Sequence, residues 1–548
     1  MITCKEPSKD VPCKRACPAG IDIPRYIRLI NQYKFDDALA VIYEKNPLPS
    51  ICGRVCYRPC EGVCQAVYTG GPVQINNLKR FVTEHASPPR KTRRYKPSGK
   101  NVAIIGSGPA GLTASYYLSM LGHRVTIFEA YPELGGMMRY GIPEYRLPRA
   151  MLDKDIDVII NRAGIEIKAD TKVEDLDGLF KKGYDVVLLA IGAHRSVKLG
   201  IKNDDLTLDC LSYLRNISLG EKLDLGEKVV IVGGGNASVD AARTAIRLGS
   251  KEVIILYRRS WDEMPANPLE VREAINEGVD IRFLVAPTKI KRKNKGLILE
   301  GGCMMLSEPD ASGRKRPIWI DGSHFILEVD TVISAAGQVP EVLPSFKLLT
   351  GQAGTIQVSR GLGTSRPGIF ACGDCIAGPA SVIEAIAASR RASISVDKYL
   401  GGTGSIPEEL SSFEEKLPPF RKVVYPEEVI TPRLPINERI SGFAETAFTL
   451  TEEEALREAN RCMWCDLPIW VDPAKCVGCL SCNLTCSLTH EEKFNPNNAR
   501  IKVVQPDRSI NMGEASISFM EECENCGMCV TSCLYGALTK GDHDRSLT

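Results

Sequence analysis

Short apolar runs of strand length alternate with helical patterns through the middle of the chain. Lys100-Asn101-Val102-Ala103-Ile104-Ile105 is one such run, and a glycine-rich turn separates it from the helical stretch LTASYYLSMLG. Arg124-Val125-Thr126-Ile127-Phe128 follows as the next predicted strand. The same order recurs from Lys228-Val229-Val230-Ile231-Val232 through the helix VDAARTAIRLG to Glu252-Val253-Ile254-Ile255-Leu256. A later run, Gly368-Ile369-Phe370-Ala371, leads through a turn into the helix VIEAIAASRRA. Strands alternating with helices predict an α/β class built on parallel sheets. Near the start, IDIPRYIRLINQYKFDDALAVIYEKN is helical, and Thr451-Glu452-Glu453-Glu454 has the form of a capping box opening another helix.

Length and charge narrow the picture. A chain of 548 residues exceeds what one core can organise and implies roughly three to five folding units. A net charge of +2 gives none of the basic bias expected of a nucleic-acid partner. The single basic run, Arg90-Lys91-Thr92-Arg93-Arg94-Tyr95-Lys96, sits between Pro88-Pro89 and Pro97 and reads as a solvated linker. No apolar stretch reaches the eighteen or so residues that span a bilayer, and MITCKEPSKD contains no secretory segment. No membrane span and a cytoplasmic location are therefore expected.

The turns carry the first chemistry. Gly106-Ser107-Gly108-Pro109-Ala110-Gly111 is G-x-G-x-x-G between a strand and a helix, the context that gives this pattern its meaning. Its first glycine permits the turn, Gly108 lets backbone approach a pyrophosphate, and Gly111 lets helix and strand pack closely. The helix start then faces the phosphates. Glu129, with Ala130 after it, ends the next strand, where a carboxylate can bond a ribose hydroxyl. The second turn, Gly233-Gly234-Gly235-Asn236-Ala237-Ser238, leads to a strand that ends in Tyr257-Arg258-Arg259 and lacks the acid. A carboxylate would repel a 2′-phosphate, whereas an arginine pairs with it, so NADP(H) is favoured over NAD(H).

The cysteines are the second feature. Of 21, seven precede residue 65 and ten follow residue 461. Such clustering in a reducing compartment points to metal and away from a disulfide scaffold. Cys476, Cys479, Cys482 and Cys486 repeat the C-x2-C-x2-C-x3-C spacing of bacterial ferredoxins, and Cys523, Cys526, Cys529 and Cys533 repeat it again. In that arrangement each fourth cysteine serves the other run's cluster. Cys476, Cys479, Cys482 and Cys533 should therefore hold one [4Fe–4S] cluster, and Cys523, Cys526, Cys529 and Cys486 a second. Two such repeats argue against zinc, although Ser487 and Leu534 replace the proline that usually follows each run. Cys372-x-x-Cys375 has redox-disulfide spacing but lies inside the Gly373-Asp374 turn, and it is read as a coincidence of spacing.

The order of these motifs resembles the two-dinucleotide flavoproteins, in which an FAD domain is interrupted by a nicotinamide domain. Gly373-Asp374 is that family's late Gly-Asp, and Leu134-Gly135-Gly136-Met137-Met138-Arg139-Tyr140-Gly141-Ile142-Pro143 and Tyr257-Arg258-Arg259 with Met264-Pro265 narrow the resemblance to the glutamate synthase small-subunit group. That group includes the large subunit of NADH-dependent ferredoxin:NADP oxidoreductase and the N-terminal half of dihydropyrimidine dehydrogenase. The resemblance implies that Gly106, Gly108, Pro109, Ala110, Gly111, Glu129, Ala130, Gly136, Arg139, Gly373 and Asp374 bind FAD. Gly233, Gly235, Asn236, Ala237, Arg258 and Arg259 would then bind the nicotinamide cofactor. It also implies an N-terminal all-helical iron–sulfur domain built on Cys13, Cys17, Cys56, Cys60 and Cys64. The group's Glu-Ala-x-Arg-Cys-x-x-Cys element stands far downstream here, as Glu458-Ala459-Asn460-Arg461-Cys462-Met463-Trp464-Cys465. A permuted cluster site of Cys13, Cys64, Cys462 and Cys465 is the expectation, beside a second that uses Cys17, Cys56 and Cys60. The group's Gln or Glu ligand falls at Lys79 or Arg80, leaving Cys4 and Cys52 as candidates for the fourth ligand. The alternative is a single N-terminal cluster, with Cys462 and Cys465 belonging to the tail.

The expected organisation is a helical iron–sulfur domain (1–95), an FAD domain (96–225 and 335–403) interrupted by an NAD(P)H domain (226–334), a linker and returning helix (404–466), and a C-terminal α+β ferredoxin-like domain (467–548). The expected activity is electron transfer among a nicotinamide, FAD and four [4Fe–4S] clusters, with no acid–base residue named as catalytic. The partner would be the catalytic redox subunit of a multi-subunit complex, since CVGCLSCNLTCSLTHEEKFNPNNARIKV resembles electron-transfer subunits of molybdenum, tungsten and carbon-monoxide enzymes. The alternatives are a free-standing oxidoreductase acting on soluble ferredoxin and a glutamate synthase small subunit.

Overall fold

A computed structural model describes residues 2–3, 11–89, 95–310, 313–351, 353–406, 427–504 and 515–540. Cys4 and the basic run Arg90–Arg94 lie outside the described residues. The first predicted Rossmann unit forms a five-stranded parallel sheet. Its order is Ile369–Ala371, Val186–Leu189, Asn101–Ile105, Arg124–Phe128, Glu166–Lys168. Both faces of the inner strands are covered, which is why they read as unbroken apolar runs. Helices Pro109–Met120 and Val382–Tyr399 pack against each other on this sheet, the second opened by a Ser381–Glu384 capping box.

A second five-stranded parallel sheet interrupts the first, in the order Asp280–Phe283, Glu252–Tyr257, Lys228–Val232, Thr331–Ser334, Leu208–Asp209. It takes in Leu208–Asp209, ahead of residue 226, because the chain lays down this edge strand before entering the glycine turn. An antiparallel layer of Val285–Arg292, Leu297–Pro309, Lys315–Trp319 and Phe325–Val329 sits beside it.

The helical N-terminal region consists of Pro12–Ala16, Ile23–Asn31, Phe35–Tyr43, Pro49–Val55 and Ile75–His85. Helix Glu452–Ala459, with the expected capping box at Thr451 and Glu454, returns to pack on Ile23–Asn31 and Ile75–His85. Its Ala455 and Ala459 share one apolar core with those helices and with the first sheet, so the two ends of the chain fold as neighbours. The tail carries helices Ser481–Glu491 and Met528–Thr531 and the antiparallel pair Ile501–Val504 and Ser516–Phe519. Its other sheet has Ile469–Val471 in the middle, flanked by Leu538–Lys540 and by Ile2–Thr3 from the beginning of the chain.

Candidate functional site: two dinucleotide cradles and a line of cysteines

At the first cradle, backbones approach too closely for any side chain. A Cβ on Gly106 would lie 2.5 Å from the Ala190 carbonyl oxygen, and one on Gly111 would lie 1.9 Å from the Gly106 carbonyl oxygen. Gly108 caps helix Pro109–Met120 and has open space in front of it, where a pyrophosphate fits. Three further segments close around this turn. Gly136, at φ +52°, places its Cα where a Cβ would meet Gly108 Cα at 2.8 Å. Gly373 abuts Ala110, at 2.8 Å between a notional Cβ and Ala110 Cβ. Ala190 and Ile191, after strand Val186–Leu189, lie against Gly106 and had no reading from sequence, because a short apolar run ending in one glycine is unspecific.

The polar groups of the cradle are oriented in advance. Glu129 is buried and accepts from the Ser107 amide at 2.9 Å, the Ser107 hydroxyl at 2.5 Å and the Tyr131 amide at 3.0 Å. Ala130 beside it is exposed. Asp374 accepts from the Ala380 amide at 3.2 Å, and burial pushes its carboxyl up to about 6. Arg139 donates to the Leu134 carbonyl at 2.6 Å and pairs with Glu133 and Asp153, an arrangement that fixes the Gly135–Gly136 turn. Cys372 and Cys375 are fully buried free thiols, and Cys375 donates to the Cys372 carbonyl at 3.2 Å. They are packed as small apolar residues.

The second cradle is built alike. A Cβ on Gly233 would lie 2.3 Å from the Ala335 carbonyl oxygen, and Gly235 caps helix Asn236–Arg247 with open space before it. The segment after strand Glu252–Tyr257 is sewn onto this turn. The Ala266 amide donates to the Gly234 carbonyl at 3.1 Å, and the Asn267 amide donates to the Asn236 side chain at 2.8 Å. Ala237 follows in the first turn of the helix. Arg258 is exposed at the strand end, whereas Arg259 is buried, paired with Asp310 at 2.6 Å and donating to the Lys315 carbonyl at 2.8 Å. Arg258, Arg259 and Arg316 line one cleft of about 550 Å³.

The cysteines gather in four groups. Cys13, Cys64, Cys462 and Cys465 line a single cavity walled by Ile23 and Ile27. Burial raises the pKa of Cys13, and the charges of Cys462, Cys465 and Cys64 raise it further. The Val73 amide donates to Cys64 Sγ at 3.5 Å. The Glu-Ala-x-Arg-Cys element acts here as a clamp. Glu458, wholly buried, accepts from the Gln74 amide at 2.8 Å and from Arg461 at 2.7 Å. Arg461 also donates to the carbonyls of Gly70, Gly71 and Pro72. The loop after Cys64 is thereby fixed to the helix end that presents Cys462 and Cys465.

Cys17, Cys52, Cys56 and Cys60 form the second group, around the buried side chain of Lys79. Burial pulls the Lys79 pKa down, but the charges of Cys56, Cys52, Cys60 and Cys17 outweigh it and raise it. In the tail, Cys482 is pushed up to about 12 by burial, with Cys476, Cys533 and Cys479 adding to the effect. Cys529 is raised by burial and by Cys526, Cys523, Cys482 and Cys486. Cys533 is thus a neighbour of Cys482, and Cys486 of Cys529. The Arg500 amide donates to Cys486 Sγ at 3.2 Å. Among the described residues no three Cys, His, Asp or Glu side chains are grouped so as to hold a single metal ion. No helix of the described residues is long and apolar enough to cross a membrane.

Residues 100–389 match the family model for pyridine nucleotide-disulphide oxidoreductases, and residues 2–90 match that for the 4Fe–4S domain II of dihydropyrimidine dehydrogenase. The chain is 39% identical to the beta subunit of an NADP(+)-dependent formate dehydrogenase of Moorella thermoacetica, over 84% of this chain and 71% of that one. It is 37% identical to the beta subunit of an NADPH-Fe(3+) oxidoreductase of Geobacter sulfurreducens, over 83% and 75%. With the glutamate synthase [NADPH] small chain of Escherichia coli it shares 34% identity over 71% and 88%. FprA of Mycobacterium tuberculosis, solved with NADPH, superposes with a TM-score of 0.50 at 22% identity, over 56% of this chain and 85% of that one, a likeness of fold alone. The chain belongs to the pyridine nucleotide-disulphide oxidoreductase family, in the group of the glutamate synthase small chain, and is a flavin- and nicotinamide-dependent oxidoreductase with an iron–sulfur domain.

Proposed function

We propose that this chain exchanges electrons between NADP(H), FAD and four [4Fe–4S] clusters on behalf of a catalytic redox partner. The partner would be an enzyme such as a formate dehydrogenase, a carbon monoxide dehydrogenase or a tungsten or molybdenum aldehyde oxidoreductase. The observation that carries the reading is the convergence of Cys13, Cys64, Cys462 and Cys465 on one spot. Four thiols supply the four outer thiolates that a cubane needs, one for each iron.

The residues divide the work. The turns at Gly106 and Gly233 would hold the two pyrophosphates, with Glu129 set to accept from a ribose hydroxyl. Arg258, exposed at the cleft, would pair with a 2′-phosphate, while Arg259 holds the hairpin beside it through Asp310. Bound FAD would exchange two electrons with the nicotinamide and single electrons with the clusters. Cys476, Cys479, Cys482 and Cys533 would hold one tail cluster, and Cys523, Cys526, Cys529 and Cys486 the other. Cys17, Cys56 and Cys60 would hold the second N-terminal cluster.

Iron content tests the wiring. Purified protein should carry about sixteen iron atoms, and C462S/C465S about twelve with FAD retained. An unchanged count in that variant would refute the cavity site. Affinity purification from native cells tests the partner. A stoichiometric subunit with a molybdenum, tungsten or nickel–iron–sulfur centre supports the proposal. An active lone flavoprotein that reduces soluble ferredoxin with NADPH would replace it.

A further inference from the structure

Where the tail meets the helical N-terminal region, one buried cation stands between two groups of thiols. Lys540 ends strand Leu538–Lys540 and is 5% exposed. Its ammonium donates to the Asn525 carbonyl at 2.7 Å. The Asn525 side chain, from a backbone at φ +55°, donates to the carbonyls of Cys465 at 2.9 Å and Leu467 at 2.7 Å. Lys540 is therefore fastened to the residue that bridges Cys465 and the loop of Cys526. Gly527 leaves room for this, since a Cβ there would lie 3.2 Å from Lys540 Nζ and 3.7 Å from Met463 Cε.

Both thiols are neighbours of this cation through Asn525, which directly precedes Cys526 and whose side chain holds the Cys465 carbonyl. The far side of Cys526 is closed from the N-terminal region as well. Its Sγ lies 3.4 Å from His490 Nε2, and the His490 ring meets Tyr68 edge-on with centroids 5.7 Å apart. Gln65, next to Cys64, donates to Glu524, next to Cys523, at 3.5 Å. The other tail group lies away from this seam, and its Cys479 is exposed.

We propose that Lys540 is a positioning residue for one-electron transfer across this seam, its fixed charge raising the reduction potentials of the two adjoining clusters. The inference rests on the cluster assignment above. With clusters bound, each transfer would oxidise one and reduce its neighbour by one electron, with no bond made and no proton moved. A buried cation favours the reduced, more negative form of both clusters and is little screened by salt. Clusters at the sites of Cys465 and Cys526 would then exchange electrons directly, with the exposed site of Cys479 toward solvent.

The test uses the full-length holoprotein with K540M and K540R, by iron analysis and redox titration followed by electron paramagnetic resonance. K540M should keep its iron and shift two cluster potentials to more negative values, leaving the other two unmoved. NADPH should reduce its tail clusters more slowly while flavin reduction keeps its rate, and K540R should restore both readouts. Unmoved potentials at full iron content would overturn the inference, as would loss of iron from K540M, which would make Lys540 merely structural. If C465S costs no iron, the cluster assignment itself fails, so the two failures are distinguishable.

Discussion

Arg28 and Asp466, 438 residues apart, are joined by one guanidinium nitrogen at 2.7 Å from both carboxylate oxygens. Arg28 is 4% exposed on helix Ile23–Asn31, and Asp466 directly follows Cys465. The pair fixes the returning segment against the helix that walls the cavity. D466A removes this charge-assisted contact from Arg28, a loss on the order of 2 kcal/mol. Thermal unfolding should begin at lower temperature, and chelator should remove iron from the cavity site faster than from the tail.

Gly136 tests the flavin cradle. At φ +52° with Gly108 Cα in the way, G136A meets both strain and collision. The expected result is loss of the visible flavin absorbance from a folded protein that retains its tail iron.

Arg258 and Arg259 should separate specificity from structure. R258A should lower kcat/KM for NADPH about tenfold or more, as befits a lost charge-assisted contact, and leave NADH nearly unchanged. R259A removes the partner of Asp310 and should lower stability with either cofactor. Steady-state kinetics with both nucleotides, beside thermal melts, checks the split.

Asp155 links stability to pH. It is wholly buried, accepts from the Ile51 amide at 3.0 Å, and burial pushes its carboxyl up to about 7. Its folded pKa lies above its unfolded one, so the native state binds the extra proton. Its contribution is whole below about pH 4 and is lost as pH rises through about 7. D155N should flatten that part of the stability profile measured by denaturant titration.

The glycine turns and the capping box at Thr451 were legible because each is a local requirement of backbone or spacing. The displaced Glu-Ala-x-Arg-Cys element was legible as a pattern, but not the reason for it. Glu458 and Arg461 act on carbonyls and amides of residues 70–74, and backbone groups leave no trace in sequence. Arg259 read as an equal of Arg258, since nothing nearby announces Asp310 on a distant hairpin. Strands Ile2–Thr3 and Leu208–Asp209 are too short to show a period and exist through their partners. Nothing in the sequence placed Cys52 with Cys17, Cys56 and Cys60, whose charges meet at the buried Lys79.

The cavity of Cys13, Cys64, Cys462 and Cys465 also constrains how the molecule is made. Cys13 and Cys64 are synthesised before the two nucleotide-binding units, and Cys462 and Cys465 only after them. A cluster held by all four thiols would therefore assemble only once both of those units have been made.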